Sequence, residues 1–72
     1  MFTVESLFDA AFGKPRDPRS DEYKAGVRSV LTYRIHGIPV QCPYELGTAQ
    51  ADAFFSGCDE GHRVWRQAAE GM

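Results

Sequence analysis

His36, Cys42, Cys58 and His62 are the four residues whose types match a structural zinc site. Zinc takes thiolate and imidazole in tetrahedral sites, and a bound metal would staple so small a fold. Cys58 and His62 stand four apart, which places them on one face of any helix that carries them. The spacing from His36 to Cys42 is longer than the usual finger knuckle, and Cys58 also fits an apolar seam without metal. Cys42 is a candidate nucleophile as well, since a helix N-terminus near Thr48 could favour its thiolate. The alternative is packing: Pro43 stiffens a loop while Cys42 and Tyr44 fill the space between two helices. Asp59, Glu60 and His62 have the types for acid–base work, yet neighbours along a helix point to different faces. No Ser/His/Asp order or paired-carboxylate cleft can be built. The expectation is therefore no catalytic residue and no cofactor.

A second set of residues points to binding. Residues 14–34 hold Lys14, Arg16, Arg19, Lys24, Arg28 and Arg34 against Asp17, Asp21 and Glu22, a local excess of three positive charges. From Glu45 onward the balance is acidic, and the whole chain carries a net charge of −2. A generic nucleic-acid binder would be strongly basic, so any electrostatic docking must use the middle of the chain. Lys24 and Arg28 share a helix face, with Arg16, Arg19 and Arg34 extending the charge at its ends. These five residues are the candidates for phosphate contacts on RNA or for steering toward an acidic protein patch. The alternative is a solvated face, with Asp21 pairing to Lys24 within the helix. Phe2, Phe8, Phe12, Phe55 and Trp65 are a large aromatic allotment for so small a core. Any left outside would form an interface, a homodimer included.

The elements that must position these residues read as helices. Val4, Leu7, Phe8, Ala11 and Phe12 lie at the spacing of one helical face, with Thr3 as cap, Glu5 in the first turn and Gly13 as stop. Residues 14–17 form a connector. Asp17-Pro18 predicts the start of a second helix, with Tyr23, Val27, Val30 and Leu31 on its apolar side. Gly37 ends it and Pro39 forbids a restart. Ile38 to Tyr44 contains Pro39 and Pro43 and predicts an extended, ordered loop. Thr48 then caps a last helix whose seam is Ala51, Phe54, Cys58, Gly61, Trp65 and Ala68. Small seam residues let another helix approach closely, and Gly57 and Gly61 predict a bend. The fold class expected is all-α: a short N-terminal helix, then two longer helices joined by a Pro-containing loop.

Seventy-two residues make a single small domain, with 1–13 as the first helix and 18–72 as a two-helix unit. A chain of this length buries only about 60% of its unfolded surface. Two cysteines are too few for the disulfide framework of a secreted mini-protein. No positively charged leader and no membrane-length apolar run are visible, which predicts a cytoplasmic chain with reduced thiols.

Tyr23-Lys24-Ala25-Gly26, then Cys42-Pro43-Tyr44, then Phe54-Phe55-Ser56-Gly57-Cys58 resembles bacterial ribosome modulation factor. That family shows Tyr-x-Ala-Gly, Cys-Pro-Tyr and a Trp-x-x-Gly-Trp cluster on its second helix. The similarity spans roughly residues 20–66 and makes Tyr23, Gly26, Cys42, Pro43, Tyr44, Phe54, Gly57 and Cys58 family-motif positions. It implies a small helical fold, with the ribosome or ribosomal RNA as partner. In this chain the spacer between Gly26 and Cys42 is about two helical turns longer. Phe54 and Cys58 stand where the family has Trp, and the charge is acidic where the family is basic. Losing that charge weakens affinity for phosphate. Plasmid- and phage-borne relatives of the same broad group include one described as modifying a quinolone antibiotic. The glycine-rich phosphate loop that such chemistry requires is missing here.

The sequence thus leads to a small non-enzymatic binding module with a ribosome- or RNA-linked role. The rival is a protein-binding regulator or inhibitor, chromosomal or from a mobile element, that uses its acidic last helix, and behind it a small antibiotic-modifying enzyme.

Overall fold

The structure is a computed structural model that describes residues 3–13 and 19–70. Phe2, the connector 14–17, Arg16 and the Asp17-Pro18 helix start lie outside the described residues. The fold is all-helical, in the order α1 (Val4–Phe12), α2 (Asp21–His36) and α3 (Ala49–Glu70). No strand occurs among the described residues.

α1 starts where the expected cap stands. Thr3 Oγ1 accepts from the Ser6 N–H at 3.0 Å, while Ser6 Oγ accepts from the Thr3 N–H at 3.1 Å, closing a capping box. α2 corrects the sequence reading: it begins at Asp21, with Ser20 as cap accepting from the Tyr23 N–H at 3.1 Å. Ser20 followed by Asp21 and Glu22 puts two carboxylates in the first turn, where the helix dipole favours them. Gly37 ends α2 with φ +74°, a left-handed conformation that glycine adopts without steric cost. Thr48 caps α3 as expected, accepting from the Ala51 N–H at 3.2 Å and donating to Glu45 O at 2.6 Å.

The core lies along the α2–α3 contact. Val27, Val30, Leu31, Ala51 and Phe54 are almost wholly buried, and Tyr23 and Leu7 complete the set. Two glycines set the spacing of this contact. A Cβ added to Gly26 would overlap Phe54 O and lie 2.9 Å from Cys58 N. One added to Gly57 would overlap Tyr23 O and lie 2.8 Å from Tyr23 C. Backbone therefore meets backbone at this crossing, an approach no side chain permits. Gly57 and Gly61 are buried in the contact while Cys58 is only half-buried, a correction to the seam. The reason is that the two glycines draw α2 onto their own side of α3. α3 stays helical throughout from Ala49 to Glu70. α1 lies across both longer helices through Leu7, with Val4, Phe8 and Phe12 packed beside it, and is held more lightly than they hold each other.

Candidate binding surface

The structure does not gather the cationic residues into one stripe. Lys24 and Arg28 lie on the side of α2 that receives α1. The Arg28 guanidinium sits 4.2 Å from the Phe8 ring centroid and pairs with Glu5. The Lys24 ammonium stands 5.9 Å from the Phe12 ring centroid. Arg19 stacks 4.9 Å over Tyr23, before the helix. Arg34 is at the far end of α2, 6.0 Å from the Tyr33 ring and 3.4 Å from His62 Nδ1. Each described cation of the expected set thus rests on an aromatic face, which holds the guanidinium or ammonium in place. Lys24 and Arg28 clasp α1 onto α2.

Tyr23 links the two long helices. Its hydroxyl donates to Glu60 Oε2 at 3.2 Å, and Arg63 donates to the same oxygen at 2.7 Å. Burial, reinforced by the Glu60 charge, raises the Tyr23 pKa and keeps the phenol protonated as donor. The opening Tyr of the Tyr23–Gly26 motif is thereby an anchor of the glycine crossing.

The four zinc-type residues are not assembled. Among the described residues, no group of three or more His, Cys, Asp or Glu side chains is placed to hold a metal. His62 turns toward Arg34 on α2, whereas Cys42 donates its thiol to Tyr44 O at 3.5 Å. Cys58 and His62, four apart on α3, are joined by too few other His, Cys, Asp or Glu side chains among the described residues to complete a site. Both thiols are free and half-buried. Burial first, then the charge of Asp59 and the nearness of Cys42, raises the Cys58 pKa, which works against a thiolate. The packing reading of Cys42-Pro43-Tyr44 fits the geometry: Tyr44 meets Phe54 edge to face at 6.0 Å, and Phe54 meets Phe55 at 5.7 Å.

Apart from Phe55, what the sequence reading passed over is the outer side of the connection between α2 and α3. Ile38 is 56% exposed, Leu46 74% and Phe55 45%, with Val40 and Tyr33 also outside. Beneath Ile38, a groove of about 340 Å³ runs between α2 and the loop. Ala25, Arg28, Ser29 and Thr32 line one wall; Pro39, Gln41 and Pro43 form the other. The available signal was the run from Gly37 to Tyr44, which carries four aliphatic or proline side chains and no charge. No helix among the described residues is long and apolar enough to cross a membrane.

Comparison with protein-family models, with curated proteins and with solved structures returns no match for this chain.

Proposed function

We infer that this chain is a small non-enzymatic binding module that works by contact with another protein chain, through the connection between α2 and α3 and the adjoining start of α3. The observation that carries the reading is the exposure of Ile38, Val40, Leu46 and Phe55 on this one stretch of residues 38–55. Isolated surface apolar residues are ordinary, but several on one short stretch of a small protein mark an interaction surface. Leu46 and Phe55 would serve as anchors and the groove beneath Ile38 as a complementary pocket.

The ribosomal reading stands second, on the resemblance to ribosome modulation factor and on Arg28, whose side chain is still 43% exposed beside Glu5. It is weakened by the acidic net charge and by the use of Lys24 and Arg28 in docking α1. The Tyr-x-Ala-Gly and Cys-Pro-Tyr positions also have a structural use, in the glycine crossing and in packing on Phe54.

Ribosome co-sedimentation at low and high salt separates the two. The protein-contact reading expects no sedimentation with ribosomes at low salt and a partner complex that survives high salt but is lost in Leu46→Asp/Phe55→Asp. Association that falls steeply with salt and vanishes in Lys24→Glu/Arg28→Glu would overturn it in favour of RNA.

A further inference from the structure

We propose that Cys42 and Cys58 are a thiol pair that closes a disulfide between the connection and α3, a reversible redox lock on the surface which that connection carries. Contacts at either end fix where the two residues lie. Phe54, Cys58 and His62 stand four apart on α3 and form one line along the helix. At one end of the line His62 Nδ1 lies 3.4 Å from Arg34, in the last turn of α2. At the other end Phe54 meets the Tyr44 ring at 6.0 Å. The connection therefore travels back along this line from His62 to Phe54, with Cys58 midway. Cys42 precedes Tyr44 by two residues, at most about 7 Å of chain. Cys58 follows Phe54 by one helical turn, about 6 Å of rise. The offsets match and run the same way, so Cys42 stands at the level of Cys58. The neighbours agree: Pro43 lines the groove with Ala25, and a Cβ on Gly26, the next residue of α2, would lie 2.9 Å from Cys58 N. Burial and then the Asp59 charge raise the Cys58 pKa, and Cys42 raises it further, an effect that needs the two sulfurs near each other.

Little opposes closure. The Cys58 thiol makes no hydrogen bond among the described residues, and the Cys42 thiol is held by one weak bond to Tyr44 O at 3.5 Å. No backbone–backbone hydrogen bond ties residues 38–44 to a helix among the described residues, so the segment shifts toward α3 without breaking a ladder. The oxidant is a low-molecular-weight disulfide such as glutathione disulfide. One protein thiol gives its proton to solvent, and its thiolate attacks a sulfur of the oxidant, releasing one glutathione thiolate and leaving a mixed disulfide. The other protein thiol then loses its proton and attacks the protein sulfur of that mixed disulfide, releasing the second glutathione thiolate. Two protein S–H bonds become one S–S bond, and the oxidant leaves as two thiols once its thiolates take up the two protons. The closed bridge fastens the connection to α3. That the lock then acts on a partner rests on reading the connection as the protein-contact surface; the bridge itself does not.

The full chain equilibrated with reduced and oxidised glutathione, in buffer and in denaturing urea, tests the lock by mass spectrometry after an acid quench. In buffer the expected product is a monomer lighter by two hydrogens, whose digest joins the Cys42 peptide to the Cys58 peptide. Cys42→Ser and Cys58→Ser should each carry glutathione instead. A bridge that fits the fold stabilises it by the factor with which folding favours the bridge, so closure should be at least about tenfold more favourable in buffer than in urea. That factor corresponds to a Tm about 6–11 °C higher for the oxidised chain than for the reduced one. Should either serine variant fail to fold, the wild-type comparison decides alone. Closure no more than about threefold better than in urea, two mixed disulfides in place of the bridge, or an oxidised chain that melts at or below the reduced one overturns the lock. A partner complex at the connection with no bridge would sink the lock alone. A bridge with no such complex would sink the contact reading alone.

Discussion

Replacing Gly57 with alanine should cost this protein a large share of its stability. The new Cβ would overlap Tyr23 O and stand 2.8 Å from Tyr23 C and 3.2 Å from Tyr23 Cα. All three are backbone atoms of α2, so no side-chain rotation relieves the clash. The helices must part by about 1 Å, and a gap of that size forfeits a quarter to a half of the dispersion attraction across the contact. Overpacking costs roughly 1–3 kcal/mol, and rigid backbone on both sides places this case at the upper end. Against that, alanine's helix propensity returns about 1 kcal/mol. A net loss of about 2 kcal/mol is large beside the roughly 3–5 kcal/mol that so small a core supplies. At about 4–8 °C per kcal/mol, Tm should fall by roughly 8–16 °C, read by far-ultraviolet circular dichroism and checked by urea melts. Ser56→Ala, at the exposed neighbouring position, has the propensity gain without the clash and should melt at or slightly above wild type. Gly26→Ala strains the same crossing from the other helix. The double variant should therefore lose less than the two single losses together, because helices already parted accommodate both methyls. A Gly57→Ala protein melting at or above wild type would refute backbone contact at this crossing.

Arg28→Ala should lower stability by about 1 kcal/mol, since an exposed ion pair and a cation–π contact are each worth a fraction of that to about 1 kcal/mol. Amide protection in α1 should fall before that in α2 or α3; a uniform loss would show that Arg28 does more than hold α1. Cys58 and Tyr23 both keep their protons to higher pH folded than unfolded, so the folded state binds more protons in the alkaline range. Through these two groups stability should fall as pH rises through the ordinary values of 9.0 for the thiol and 10.0 for the phenol. Urea melts across that range should show the decline, and it should be shallower in Cys58→Ser/Tyr23→Phe; a rise with pH would contradict the burial of these groups. Zinc or a chelator should leave Tm within about 1 °C, because a metal held by N/S ligands stabilises a small fold by far more than that.

Much of the fold was legible because its signals are local. Thr3, Gly13, Gly37 and Thr48 each act at the helix end where they stand, and the structure uses all four as read. The start of α2 was not resolved by the same reasoning, since Asp17-Pro18 and Ser20-Asp21 are both sound cap signatures three residues apart. Choosing between them requires knowing how Tyr23 must sit against Glu60, a tertiary fact. The small residues of α3 announced a close approach, but not that Gly57 would sit deepest in it, because that depends on which turn of α2 meets which turn of α3. The basic residues were legible as charge and not as packing. Their spacing on α2 could not reveal that Phe8 and Phe12 come across from α1 to meet Arg28 and Lys24. The zinc quartet failed for a related reason. Spacing along α3 put Cys58 and His62 four apart, but nothing in it told that His62 would turn to Arg34 or that no third ligand would join them.

We propose that this chain meets its partner through the connection and the start of α3 rather than through its cations. Photo-crosslinking in cells that carry the gene distinguishes the two surfaces, with a benzophenone side chain placed at Leu46 in one copy and at Lys24 in another. Protein adducts that survive ribonuclease are expected from position 46, and few from position 24. Ribonuclease-sensitive adducts from position 24, with none from position 46, would contradict it.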